Sequence, residues 1–214
     1  MLLARPVLAA PVIVDGREWL QPADFVDLSW NDIRQACDPV TGACNGVLAG
    51  VDVTGYAWAS VDDLNALFNH YLQGNAPPLG PGPDSLLDSC YSPWADAFFA
   101  DGWRETATIP NPDGTEVLVY GWLRDASGAA ATIGEFQDSR QGISGCQLAF
   151  VDLVATTATG PVDLSADNRG AWLCRGCEDI PSPVPVDSPA MLLALALALV
   201  TLACRRRPLR RTKH

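Results

Sequence analysis

The chain has 214 residues, of which 48% are hydrophobic and seven are tryptophan, so it is long enough to bury a substantial core. All 25 acidic residues but only eight of the 14 basic residues precede a hydrophobic segment near the C-terminus, which gives the body a formal charge of −17. A surface this acidic repels phosphate backbones, so nucleic acid is not an expected partner. We interpret the charge mainly as a solvated surface.

The N-terminal sequence MLLARPVLAAPVIV is similar to the last part of a secretory signal peptide. Val7-Leu8-Ala9 fits cleavage after Ala9, but the hydrophobic stretch before it is short and Arg5-Pro6 interrupts it. Two interpretations remain open: the true start codon lies upstream, or the chain lacks a working signal. We favour the first, and expect residues 1–9 to be the remnant of a signal peptide.

Two helices are predicted early in the body. Ser29, with Asp32 three residues later, is a suitable N-cap for a helix through Cys37. Ser60 and Asp63 form a capping-box pattern at the start of SVDDLNALFNHYL. Apolar residues then follow the helical spacing at Leu64, Leu67, Phe68, Tyr71 and Leu72.

Turn residues and β-rich runs organise the rest of the body. Short strands are predicted at 19–20 and 56–59, and QGNAPPLGPGPD is a loop. SPWADAFFADGW predicts a short helix, and ETATIPNPDGTEVLVYGWLRD predicts a hairpin that turns at Pro112-Asp113-Gly114. ATIGEFQDSRQGIS is interpreted as a loop, and CQLAFVDLVA and RGAWLCR as strands. The whole predicts an α+β fold, mostly antiparallel β with two early helices, over residues 10–178.

Cysteine usage indicates an oxidising compartment, because an even number of body cysteines in an exported chain is typical of disulfides. The six disulfide candidates are Cys37, Cys44, Cys90, Cys146, Cys174 and Cys177. Cys37 and Cys44 flank turn residues, which favours a local bridge. Cys174 and Cys177 form either a tight local loop or bonds to distant cysteines. A redox pair in CRGC and a zinc site of Cys37, Cys44, Cys174 and Cys177 are minor alternatives.

No constellation for catalysis is visible, and we expect no catalytic, cofactor or metal site. The only histidine before the tail, His70, falls outside the apolar face of its helix, so we interpret it as solvent-facing. The nucleophile-elbow, zinc-protease, phosphate-loop and dinucleotide motifs are absent. Aspartate pairs at 62/63, 84/88 and 163/167 lack the spacing of a calcium loop. Four strand tryptophans are expected in the core: Trp19, Trp58, Trp122 and Trp172.

The C-terminal sequence has three parts. A Pro-rich linker and motif (179–189) precedes fifteen uncharged residues (190–204), and a basic tail (205–214) follows. The uncharged segment has no polar face, which favours a single transmembrane helix over a buried one, although its length of roughly 22 Å is slightly short of a ~30 Å hydrocarbon core. The basic tail is then cytoplasmic and the body lies on the opposite side. Cys204, at the end of the segment, is expected to stay unpaired.

This three-part tail resembles the PEP-CTERM family of bacterial sorting signals, which exosortase-type membrane enzymes recognise. The residues that carry the resemblance are Val184, Pro185, Ser188 and Pro189 in the motif, and Arg205, Arg206 and Arg207 after the helix. The sequence VPVDSP stands where the family usually has V-P-E-P. The resemblance implies an exported protein that is held in the inner membrane with a periplasmic body and is later processed to the cell surface or released.

The body is also similar to a domain that is common in that family, in the order of WLQPADFVDLSWNDI, GYAWASVDDLNALF and RGAWLCR. Its tryptophan-then-helix pattern resembles C-type-lectin-like modules more weakly. We therefore expect a non-enzymatic surface or extracellular-matrix protein whose partners are the membrane, an exosortase-type enzyme and, as a candidate, exopolysaccharide. A carbohydrate-binding surface module is the alternative, and a hydrolase is the third hypothesis.

Overall fold

The described strands form one sheet made mainly of short strands from the first half of the chain and one larger sheet made of strands from the second half. The structure is a computed structural model and describes residues 9–89, 92–111, 114–125, 131–140, 151–163 and 168–177. All of these residues belong to the unit that ends at Glu178. Every strand pair but one is antiparallel, and three α-helices occur in the described ranges, so the prediction of a mostly antiparallel β fold with few helices is confirmed.

The strands are numbered in chain order. Those of the first half are β1 (Val12–Val14), β2 (Arg17–Trp19), β3 (Val47–Leu48), β4 (Val51–Asp52) and β5 (Ala57–Trp58). Those of the second half are β6 (Ser85–Ser89), β7 (Ala107–Asn111), β8 (Gly114–Trp122), β9 (Ala131–Arg140), β10 (Val151–Gly160), β11 (Arg169–Ala171) and β12 (Leu173–Arg175). The predicted hairpin is confirmed, since β7 and β8 pair antiparallel from Ala107–Leu118 to Asn111–Gly114.

The strands form a four-stranded sheet in the order β1-β2-β12-β5 and a six-stranded sheet in the order β11-β8-β9-β10-β6, with β7 also paired to β8. β3 and β4 form a separate small hairpin. The parallel pair is β11 with β8. The predicted strand RGAWLCR is therefore divided into two. Its first part, β11, is an edge strand of the six-stranded sheet, and its last part, β12, is an interior strand of the four-stranded sheet.

Trp172 lies between these two parts and joins the sheets. Its backbone N–H donates to the carbonyl of Trp122 (3.3 Å), and its carbonyl accepts from Ala59 N–H (2.9 Å). Its indole Nε1–H donates to the carbonyl of Gly134 at 3.1 Å. A Cβ at Gly134 would overlap both this indole and the side chain of Leu64, so the strand requires glycine there to let the tryptophan approach.

Three α-helices and one short 3-10 helix complete the described fold. They are the 3-10 helix Pro22–Phe25, α1 (Trp30–Ile33), α2 (Val61–Leu72) and α3 (Pro93–Ala100). α2 begins at the predicted capping box, in which the Ser60 hydroxyl accepts from Asp63 N–H and the Asp63 carboxylate accepts from Ser60 N–H. The short helix predicted in SPWADAFFADGW is confirmed as α3.

The prediction for the first helix was wrong at its end. α1 has the predicted Ser29 cap but ends at Ile33 rather than at Cys37. Residues 34–36 continue as turns, and Cys37 then forms an antiparallel bridge with Cys44, which requires an extended backbone. Tertiary pairing of Cys37 therefore overrides the local helical pattern.

The loop prediction for ATIGEFQDSRQGIS was also wrong over residues 131–140, which form β9 in the interior of the large sheet. Its polar residues and Gly134 lower its intrinsic strand propensity. β9 is nevertheless paired on both sides, with β8 along eight residues and with β10 across a bulge. Hydrogen bonds to the two neighbouring strands therefore stabilise β9 as a strand, although its composition alone does not predict one.

The core consists of two aromatic clusters. The first packs α2 and α3 against the sheets, and there Phe98 stacks on Phe136 with ring centroids 3.7 Å apart. The second lies under α1 and the 3-10 helix, where Trp30 packs on Trp58 at 5.1 Å. The prediction that Trp19, Trp58, Trp122 and Trp172 are core residues is confirmed, since each is at most 1% exposed.

None of the helices in the described ranges is long and apolar enough to cross a membrane. The predicted transmembrane segment, residues 190–204, lies outside those ranges, as do the Pro-rich linker and the basic tail.

Candidate functional site

Four of the six candidate cysteines form two local disulfides. Cys37 bonds to Cys44, with Cα atoms 4.0 Å apart, and both side chains are buried in the second aromatic cluster. This confirms the local bridge that the turn residues predicted. The bond closes the loop that follows α1, and it places both ends of this loop in the aromatic cluster that contains Trp58.

The second disulfide joins Cys174 in β12 to Cys177, with Cα atoms 5.8 Å apart. Both cysteines are almost fully buried in the first aromatic cluster. The local loop is therefore the pairing that forms, and the alternative of distant partners is wrong for these two residues. Because all four sulfurs lie in disulfides, they do not supply the four thiolates of the zinc site considered as a minor alternative.

The remaining candidate residues of the sequence prediction lie outside the described residues. These are Cys90 and Cys146 of the disulfide set, and Val184, Pro185, Ser188, Pro189, Arg205, Arg206 and Arg207 of the sorting signal. They stay predictions.

Three of the six aspartates considered as calcium ligands, Asp62, Asp63 and Asp84, accept hydrogen bonds from the local backbone. Asp62 accepts from the N–H of Gly82 at 2.8 Å, and Asp63 caps α2. Asp84 accepts from the N–H groups of Gly80 and Ser85, and these bonds hold its pKa below the usual range. No group of three or more histidine, cysteine or acidic side chains is placed to hold a metal ion among the described residues.

A buried carboxylate, Asp152, lies opposite Asp88 in the pairing of β10 with β6. Burial raises the pKa of Asp152, although it accepts from the N–H groups of Ser139 (3.0 Å) and Ser92 (2.7 Å). Asp88 accepts from the Ser92 hydroxyl at 3.0 Å. Both carboxylates thus hold the start of α3 against the sheet edge, which is a structural task.

A surface groove lies along the polar face of α2. Four residues of this face follow the i, i+3, i+4, i+7 spacing: Ala66, Asn69, His70 and Gln73. They lie on the side of the helix opposite to the buried residues. Ala66 is the smallest of the four, and it lines both parts of the groove described below.

Two short segments form the walls of this groove. On one side is the β1–β2 turn, in which Asp15 (φ 50°) and Gly16 (φ 76°) both have positive φ, as a tight two-residue hairpin requires. On the other side is the loop 74–78, whose continuation is fixed to α2 by Asn69. The Asn69 side chain accepts from Leu79 N–H (2.6 Å) and donates to the Leu79 carbonyl (3.0 Å).

A side-chain contact between Asp15 of the β1–β2 turn and His70 of α2 crosses the groove. His70 Nδ1 lies 3.0 Å from both carboxylate oxygens of Asp15. The His70 side chain is 37% exposed, which confirms its predicted position at the solvent-facing side of the helix. The pair has the geometry of a histidine oriented by a carboxylate, but no Ser, Thr or Cys is among the described residues that line the groove.

The groove has two connected parts. The outer part has a volume of about 560 Å³ and contains His70, Gln73 and Pro78. A smaller inner part of about 130 Å³ shares Asp15 and Ala66 with the outer part, and reaches Arg17, Trp19 and Leu67. Trp19 is 1% exposed, and its indole Nε1–H has no acceptor among the described residues.

Only part of this site was accessible to sequence reasoning. The helical pattern of α2 placed His70 on the polar face, and the same pattern contains Ala66 and Gln73. The approach of Asp15 was missed, because it depends on how the β1–β2 hairpin packs across the helix. Trp19 was correctly placed in the core, but its unpartnered N–H has no counterpart in the sequence pattern.

Comparisons of the chain with protein-family models, with curated proteins and with solved structures find no match.

Proposed function

We propose that the chain is a non-enzymatic, exported surface or extracellular-matrix protein that is held at the inner membrane by its C-terminal segment. Its body folds in the periplasm, and an exosortase-type enzyme processes the sorting signal around Pro185 and Arg205. Partners are then the membrane and that enzyme, with exopolysaccharide as the candidate partner at the cell surface. No cofactor is required.

The observation that carries this proposal is the pair of buried disulfides, Cys37–Cys44 and Cys174–Cys177. Disulfides form and persist where thiols are oxidised, as in the periplasm and outside the cell. The two bonds lie in different aromatic clusters. An oxidising compartment agrees with the three-part tail, whose orientation also directs the body away from the cytoplasm.

Two features of the described residues support a non-enzymatic role. Most aromatic side chains that could stack on a substrate are buried in the core. The indole N–H groups of Trp58, Trp122 and Trp172 donate to backbone carbonyls. The buried carboxylate Asp152 receives two backbone N–H groups and so is committed to the fold. The three indole N–H groups and the Asp152 carboxylate are therefore occupied by structural contacts.

Counting free thiols tests the compartment. Full-length protein is purified from its native host, denatured without reductant, alkylated and measured by mass spectrometry. We expect a single label, on Cys204, because the six body cysteines are oxidised. A sample reduced before alkylation provides the control and should carry seven labels, the total number of cysteines. Seven labels without reduction would place the body in a reducing compartment and reject the proposal.

Fractionation tests the anchor separately. The full-length chain should sediment with membranes, whereas a chain truncated after Asp179 should be exported in soluble form. Recovery of the full-length protein in the soluble cytosolic fraction would contradict the proposal, even if the disulfides were present.

A further inference from the structure

We infer that the Asn45–Gly46 bond is a self-modification site, at which Asn45 converts slowly to aspartate and isoaspartate at a rate controlled by the hydroxyl group of Thr54. This inference goes beyond the proposed export and anchoring, because it concerns a covalent change within the folded body. The reaction requires only water, so it does not depend on the compartment in which the body lies.

Sequence and exposure single out this bond. Of the seven asparagines in the chain, only Asn45 precedes a glycine, which has no side chain to hinder attack by its backbone nitrogen. Asn45 is exposed, and its side chain has no hydrogen-bond partner among the described residues. Gly46 also lies in open space, since a Cβ placed on it would meet no atom within 4 Å. Neighbouring groups therefore leave the reacting atoms accessible.

The reaction balances without a cofactor or an oxidant. Hydroxide removes the proton of the Gly46 N–H, and the nitrogen attacks Cγ of Asn45. The Cγ–Nδ2 bond breaks, and the leaving nitrogen takes a proton from water and departs as ammonia. Water then opens the resulting succinimide ring. Cleavage between Cγ and the Gly46 nitrogen gives aspartate, whereas cleavage between the backbone carbonyl carbon of Asn45 and that nitrogen gives isoaspartate.

In the folded protein a hydrogen bond restrains the attacking nitrogen. The Gly46 N–H donates to Thr54 Oγ1 at 3.1 Å. Asp52 orients Thr54, because its carboxylate accepts from the Thr54 N–H at 3.0 Å. Hydrogen bonds from the hydroxyl and N–H of Thr54 hold the pKa of Asp52 below its usual range. A hydroxyl that donates to a carboxylate is a better acceptor, so the Gly46 N–H keeps its proton while this contact lasts.

Opening of the β3–β4 hairpin releases this restraint. The Gly46–Thr54 bond lies at the base of the hairpin and is exposed, beside the bond from Val53 N–H to the Gly46 carbonyl at 2.9 Å. A two-stranded hairpin is marginally stable by itself, and such segments open locally while the rest of the protein stays folded. Each opening frees the Gly46 nitrogen for attack. The isoaspartate content should therefore rise with the age of the molecule.

Peptide mapping of incubated full-length protein tests this inference. The protein is kept in detergent at neutral pH in oxygen-18-enriched water, sampled over weeks and digested for mass spectrometry. We expect Asn45 to be the first of the seven asparagines to convert, and its products to carry one oxygen-18 atom from the opening of the ring. Asn75 is also exposed but precedes Ala76, so it is the internal control and should convert more slowly.

Matched variants connect the rate to Thr54. Thr54→Val keeps the shape of the side chain and removes the acceptor, so it should raise the rate in the folded protein about twofold to tenfold, the range that one typical hydrogen bond contributes. Thr108→Val makes the same change at an exposed position of β7 and should leave the rate unchanged. In urea both variants and the unchanged protein should convert at one common, faster rate. Asp52→Asn should give a smaller increase, which keeps the test valid if Thr54→Val does not fold.

Three results would overturn the inference. Asn45 is not the first asparagine to convert, its products lack oxygen-18, or the folded Thr54→Val and Asp52→Asn variants convert no faster than Thr108→Val. None of these results bears on the thiol count or on membrane fractionation, so failure of this site and failure of the proposed function are distinguishable.

Discussion

α1 and α2 begin in the same way and end differently. In each helix a serine hydroxyl accepts from the N–H of an aspartate three residues later at 3.1 Å, and that aspartate accepts from the serine N–H at 2.9 Å. Yet α1 has four residues and α2 has twelve. The start of a helix is thus determined by a local signal, whereas its length depends on what the following residues contact.

The contacts that follow each start explain the difference. After α2 begins, its apolar face continues without interruption into the first aromatic cluster, from Leu64 to Leu72. After α1 begins, the chain reaches Cys37 within one turn of the helix end, and Cys37 is bonded and bridged to Cys44. A covalent partner at that position favours an extended backbone over a longer helix.

Among the tests of this comparison, removal of the Cys37–Cys44 disulfide that follows α1 should have the largest effect on stability. The double variant Cys37→Ser/Cys44→Ser should lower the free energy of unfolding by about 2–3 kcal/mol, because the unfolded chain is no longer closed into a short loop. Urea unfolding followed by tryptophan fluorescence would measure the loss. When both proteins are reduced, the difference should shrink to the small cost of replacing two buried thiols. A full difference that persists under reduction would contradict the loop-closure explanation.

The next test removes the N-cap side chains of α1 and α2 separately. Ser29→Ala and Ser60→Ala should each lower the free energy of unfolding by about 1 kcal/mol, since each removes the same capping bond. The two losses should agree within a few tenths of a kcal/mol, although the helices differ threefold in length. Ser85→Ala, at an exposed strand position, is the control and should cost little. A much larger loss for Ser60→Ala would show that the cap acts through helix length.

The smallest effect concerns pH at the start of α1. Hydrogen bonds from the hydroxyl and N–H of Ser29 hold the pKa of Asp32 below its usual range. Because the folded pKa is lowered, the stability contributed by Asp32 is present above the unfolded pKa of about 4 and is lost as pH falls through the folded pKa. Asp32→Asn should therefore be less stable than the unchanged protein at pH 7, by less than the Ser29→Ala loss, and the difference should shrink as the pH falls through the folded pKa of Asp32.

The measurement is the urea midpoint of both proteins from pH 7 to pH 2. A constant difference over this range would mean that hydrogen-bond geometry, rather than the charge of Asp32, stabilises the helix start.

The same division between local and tertiary signals separates the fold features that the sequence predicted from those it did not. The N-cap at Ser29, the capping box at Ser60 and Asp63, the β7–β8 hairpin and the apolar face of α2 depend on residues close in the chain, and all were predicted. β9 was missed because its strand conformation depends on partners on both sides and on Trp172, which is distant in sequence and fits only beside Gly134. Propensity cannot report a contact of that kind.

The candidate groove follows this division as well. The face that carries Ala66, His70 and Gln73 is implied by the helical period of α2. Asp15 and Trp19 reach that face from the β1–β2 hairpin, which is about fifty residues earlier. Each of these contributions is ordinary when viewed alone, and the groove arises only when packing brings them together.

The Cys174–Cys177 disulfide also determines how the body would bear a mechanical load. The bond closes the last described residues into a covalent ring, so a pull applied at Cys177 reaches Cys174 through the sulfur atoms as well as through Arg175 and Gly176. Cys174 is paired with Trp19 on one side and with Ala57 on the other, in the middle of the four-stranded sheet. Tension on the C-terminal side of the body therefore enters at an interior strand, and the sheet must yield on both sides before that strand can be extracted.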